Sequence, residues 1–145
     1  MPTFSELIRQ KEHLLMRLVP ISVRQLEIVQ SADVSRLIQL LGQKQQLMYE
    51  FEEIERQLAP HREIPPEERV WSDEAERTET GAAINRCAAM LEEILRNDTR
   101  STDELSAQKN VVEEQLRRTR QGAQIHNGYA KQAPKGNIKH FDKRS

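Results

Sequence analysis

Residues 33–58 read DVSRLIQLLGQKQQLMYEFEEIERQL. The apolar members that set the pattern are Val34, Leu37, Ile38, Leu41, Leu47, Met48, Phe51, Ile54 and Leu58. Steps of three and four put them on one face of a helix, with the remaining surface polar or charged. Asp33 can cap the first turn, and Pro60 is expected to stop the helix.

The segment before it carries a similar stripe. Phe4, Leu7, Ile8, Leu14, Leu15, Leu18, Ile21, Leu26, Ile28 and Val29 continue a helical pattern to about Gln30. Thr3 and Glu6 have the spacing of a capping box, in which each side chain bonds the other's backbone N–H. Pro20 interrupts the stripe. An interior proline removes one hydrogen bond and clashes with the preceding turn, at roughly 3 kcal/mol, so a kink or short break is expected near Val19. Ser31-Ala32-Asp33 leaves room only for a tight turn, so the first two helices should form an antiparallel hairpin. Gly42 weakens the second helix by about 1 kcal/mol relative to Ala, and a close helix–helix approach is the expected reason.

After the hairpin, residues 60–71 form the longest internal connection. Pro65 and Pro66 favour extended backbone. Trp71, the sole tryptophan, is expected to pin this loop to the helices. Ser72 is the expected cap of a third helix, with Asp73, Glu74 and Glu76 in its first turn. Its stripe is Ile84, Cys87, Leu91, Ile94 and Leu95. The stripe weakens through residues 97–102 and resumes at Leu105, Val112, Leu116 and Ala123. One continuous helix and two helices joined near Thr99 both fit; one is preferred. The fold class is therefore all-α. An antiparallel helical hairpin plus a long third helix makes an elongated three-helix bundle or coiled coil over 1–126. A flexible basic tail is expected over 127–145.

Composition agrees. Hydrophobic residues are 37%, charged residues 31% and aromatics 4%, and mean hydropathy is −0.76. Such a chain suits narrow helical seams rather than a thick core or an aromatic-rich sheet. Residues 50–95 hold 13 acids against 5 bases, whereas residues 115–145 hold 8 bases against 1 acid. The acidic stretch reads as a solvated helix surface. The basic end can meet an acidic partner, and Arg117, Arg118 and Arg120 also complement a helix C-terminus. One cysteine, Cys87, excludes an internal disulfide and reads as a small buried hydrophobe. There is no membrane-length apolar run and no signal-peptide segment, so a soluble cytoplasmic protein is expected.

Chemistry-bearing motifs are missing. His13, His61, His126 and His140 form no Glu-x-x-His pair and no zinc spacing. There is no phosphate-binding Gly-rich loop and no nucleophile elbow. The expectation is a chain with no catalytic residues, no metal and no cofactor. Leu105, Val111, Val112, Leu116 and Ile125 instead form a narrow apolar strip that a partner helix can complete. Packing on the first two helices, or on another copy of this chain, would use the same strip. In the tail only Tyr129, Ile138 and Phe141 are large and apolar. Candidate partner-binding residues are thus Leu105, Val112, Leu116, Ile125, Tyr129, Ile138 and Phe141.

The chain resembles the FlgN-type flagellar export chaperones. The resemblance rests on Ala32-Asp33, Leu37, Leu40, Leu41, Lys44-Gln45, Leu47, Phe51 and Leu58. It rests also on a closing segment of Tyr129, Ala133-Pro134-Lys135-Gly136 and His140-Phe141-Asp142-Lys143. Pro20 and the Pro65-Pro66 loop with Trp71 depart from the family pattern. The resemblance implies a cytoplasmic chaperone of type III flagellar export. It would bind the hook–filament junction proteins FlgK and FlgL, keep them unassembled and deliver them for export. It further implies substrate binding by the C-terminal helical region and docking on the export gate protein FlhA through a tyrosine, here Tyr129. A structural coiled coil or homodimeric scaffold is the alternative. A nucleic-acid binder ranks third, since eight bases in thirty-one residues form no recognised module.

Overall fold

A computed structural model describes the backbone of residues 1–130 and the side chains of residues 1–122. The chain is all-α. Helix α1 spans Phe4–Gln30, α2 spans Val34–Arg62 and α3 spans Glu74–Ala130, with a single 3-10 turn at Pro66–Glu68. No strand occurs among the described residues. The chain divides into two compact units, Met1–Thr102 and the part that begins at Asp103.

Local chemistry sets the helix ends. Thr3 accepts from the Glu6 N–H at 3.2 Å while the Glu6 carboxylate accepts from the Thr3 N–H, completing the capping box. Asp33 accepts from the Arg36 N–H at 3.1 Å and starts α2. Between the two, Ala32 adopts φ 56°, the left-handed region. The Ala32 N–H bonds the Val29 carbonyl and the Asp33 N–H bonds the Ile28 carbonyl. That pair of bonds closes α1 with the hydrogen-bond pattern that usually has glycine at its left-handed position.

Four expectations are corrected here. Pro20 does not break α1, which is continuous. Pro20 and Met16 are both exposed, so the Met16 carbonyl that loses its partner can bond water, and the Ser22 hydroxyl donates to the Val19 carbonyl at 2.7 Å. Pro60 does not end α2, which runs on to Arg62. Asp73, not Ser72, caps α3 by accepting from the Glu76 N–H at 2.8 Å. Gly42 marks no close approach among the described residues, because a Cβ added there meets nothing within 4 Å. The connection to α3 is pinned as expected. Trp71 packs edge-on to Phe4 with ring centroids 6.1 Å apart, and the Arg69 guanidinium lies 4.2 Å over the same Phe4 ring.

Within residues 1–102 the helices form a three-helix bundle. Its core joins Leu7, Ile8, Leu14, Leu15 and Leu18 of α1 to Leu47, Ile54 and Leu58 of α2 and to Ala83, Cys87 and Ile94 of α3. Burial pushes the Cys87 thiol up from its ordinary range, so it stays a protonated core hydrophobe. Polar pairs fix the register of α3 along α1. Ser5 donates to Glu76, Arg86 pairs with Glu12, and Asn97 donates to Ser22. These partners advance together along both helices, so α1 and α3 run parallel in this unit. The stripe expected from sequence is only partly inward. Val34 is 66% exposed and Ile38 65%, and Leu41, Ile84 and Leu95 are also exposed. Leu40, one position from Leu41, is the residue buried instead.

Candidate functional site

The apolar strip expected at the far end lies on α3, in the unit that begins at Asp103. Leu105 and Val112 are one heptad apart and Leu116 follows four residues later, so the helix sets all three on one face. The helix is uninterrupted because no proline occurs there and no glycine lies between Gly81 and Gly122. Same-helix ion pairs add support on its polar flanks. Lys109 meets Glu113 at 3.7 Å, and Glu114 pairs with both Arg117 and Arg118. The hydrogen bond from Arg117 holds the Glu114 carboxyl below the usual carboxylate range and raises the Arg117 guanidinium in turn. Pairs of this spacing lend an exposed helix modest support.

Leu105 and Val112 are exposed, at 41% and 52%, and the adjoining Val111 is exposed too. Leu116 is half-buried. The structure therefore places Leu105, Val112 and Leu116 on a shared row, exposed at the first two and half-buried at the third. The side chains of Ile125 and Tyr129 lie outside the described residues, although their backbone belongs to α3. Ile138 and Phe141, with residues 131–145 generally, lie outside them as well. Such a row can bury apolar area against an amphipathic partner. Nothing in it can move a proton or attack a carbonyl.

A second feature was not anticipated. Where the α3 stripe weakens, polar residues take over the inward positions. Lys44 on α2 lies 2.8 Å from both oxygens of Asp98 and donates to Gln25 on α1 at 2.9 Å. Ser101 is fully buried, and its hydroxyl has no hydrogen-bond partner among the described residues. This polar layer ties the three helices near the α1–α2 turn. The signal was present in the steps from Ile94 to Asn97, Asp98 and Ser101, which keep helical spacing with polar side chains. Their partners Ser22, Gln25 and Lys44 cannot be read from one strand of sequence.

Among the described residues no three His, Cys, Asp or Glu side chains converge to hold a metal ion. Among the same residues no helix is long and apolar enough to cross a membrane. No family model, no curated protein and no solved structure matches the chain.

Proposed function

We propose that the chain is a helical export chaperone that holds the hook–filament junction subunits of the flagellum, FlgK- or FlgL-like, before assembly. The observation that carries this reading is the apolar row of exposed Leu105 and Val112 with half-buried Leu116, on a helix with no metal-holding cluster among the described residues. An amphipathic helix of the subunit would lie along that row and bury it, keeping the subunit's own assembly helices occupied. The resemblance of Ala32-Asp33, Lys44-Gln45 and the closing Tyr129-to-Lys143 segment to the FlgN type supports the same reading. On it, the protein acts in the cytoplasm, uses no cofactor and no catalytic residue, and docks on FlhA through Tyr129.

The seven-residue step from Leu105 to Val112 also suits a structural coiled coil or homodimeric scaffold. The two readings part on one experiment. Immobilised full-length chain is mixed with purified junction subunits. A chaperone retains them and suppresses their assembly; a scaffold retains neither and leaves assembly unchanged.

A further inference from the structure

The first half of α2 carries an outward face that the bundle does not use. Val34, Ile38 and Leu41 lie on it, exposed at 66%, 65% and 40%, and Tyr49, 59% exposed, stands at its edge beside the groove that His13 and Arg17 of α1 line. Residues 34–49 contain only two charged side chains, Arg36 and Lys44. Neither is on this face. Lys44 points to Asp98 on α3, and Arg36 lines the groove beside Arg24 and Ile28 of α1. The outward surface of these four turns is thus Val34, Ser35, Ile38, Leu41, Gly42, Gln45, Gln46 and Tyr49, with no charge in a chain that is 31% charged. Depletion of charge with apolar and tyrosine content is what separates an interface core from ordinary surface.

Gly42 adds a second observation. It lies mid-helix and exposed, where glycine is less favourable than alanine. A Cβ added there meets nothing within 4 Å. No contact among the described residues explains the bare backbone, but a helix from a second copy would.

We propose that this face is the seam of a homodimer in which α2 packs antiparallel on α2 of a second copy. The sequence of the face is self-complementary about a two-fold axis between Leu41 and Gly42. That axis sets Leu41 level with Gly42 of the second copy, Ile38 level with Gln45, and Val34 level with Tyr49. Each leucine then lies over bare backbone, large against small, and the two small-residue positions let the helices approach. The absence of charge means that identical faces meet without repulsion, whereas a partner recognised by charge finds nothing to pair with. An isologous contact of this kind needs one patch only. The eight residues of this face fall short of the roughly 20–30 a side of a standard interface, so the dimer is weak and reversible.

The test uses the full-length chain in analytical ultracentrifugation across the micromolar range. Wild type should rise with concentration from 16.9 kDa toward twice that mass. Ile38→Glu, at an exposed position, should stay at the monomer mass with unchanged helicity and melting. Gly42→Cys should cross-link to itself under mild oxidation. Val34→Cys should not, because the two copies of that position are separated by fifteen residues of helix, ~22 Å. The native Cys87 is buried at 3% exposure and leaves the assay clear. A wild-type chain that stays monomeric, an Ile38→Glu chain that still dimerises, or equal self-cross-linking at both positions would overturn the proposal. So would a monomeric wild type whose capture of junction subunits is lost in Ile38→Glu, since the face would then belong to that partner.

Discussion

The Lys44 ammonium lies 2.8 Å from both carboxylate oxygens of Asp98, joining α2 to α3 while Gln25 of α1 accepts a third bond from the same nitrogen. The Lys44 side chain is only 15% exposed. Asp98→Leu removes its counter-charge and leaves a part-buried cation with Gln25 alone, at an expected cost of about 1–3 kcal/mol. The double replacement Lys44→Met with Asp98→Leu removes both charges and should cost less than the sum of the single changes. Urea unfolding of the four proteins in the cycle measures this; strict additivity would show that the pair is not coupled.

Ala32 sits at φ 56° with its N–H bonded to Val29. A Cβ in that region is strained by about 1–2 kcal/mol, and glycine is not. Ala32→Gly should therefore raise stability by up to ~1 kcal/mol, after the extra entropy of glycine in the unfolded chain is offset. Thermal and urea unfolding report the sign.

Glu55 links stability to pH. Burial alone would raise its pKa, but hydrogen bonds from Lys11 and Arg62, with their charges, outweigh it and hold the carboxyl below its ordinary 4.5. The folded value is thus depressed relative to the unfolded one. Its stabilisation is complete above the unfolded pKa and is lost as pH falls through the folded value. The pair is part-exposed, so the effect stays within ~0.2–1 kcal/mol. Wild type should exceed Glu55→Gln in stability at neutral pH, and the gap should shrink as pH drops below 4.5. A gap that is constant with pH would contradict this.

Among the described residues, all the side chains of the buried hydrophobic cluster fall between Leu7 and Ile94. Deleting residues 127–145 should accordingly leave the melting temperature almost unchanged. On the proposed function, the same deletion weakens docking on the export gate, and Tyr129→Ala reproduces part of that loss. A much earlier melt of the truncated chain would show the tail to be structural.

The hairpin was legible because its signals are local. Thr3, Glu6 and Asp33 cap where their spacing said, and the short turn forces α1 and α2 antiparallel. The Trp71 pin was legible as a large apolar side chain in a polar loop, though not its partner Phe4. Three features were opaque for physical reasons. A periodic stripe gives a face but not its centre, so Leu41 was taken as core where Leu40 is. The polar layer hid because Asn97 and Asp98 turn inward only by virtue of partners 75 and 54 positions away. The helices run on through Pro20 and Pro60, both exposed, because water can serve the carbonyls that the prolines leave unbonded. Of the candidate site, the shared face of Leu105, Val112 and Leu116 followed from spacing, whereas exposure depended on what the rest of the chain covers.

The central claim is that the row on α3 binds a junction subunit. Val112 is 52% exposed, so Val112→Asp should leave the fold and melting temperature as they are. In a complex the same carboxylate would be desolvated without a partner, at several kcal/mol. Calorimetric titration of a purified FlgK- or FlgL-like subunit into the full-length chain and into Val112→Asp is the direct measurement. A saturable complex with wild type and none with the variant, at equal melting temperatures, is the expected result. No complex with wild type, or equal affinity for both proteins, would contradict it.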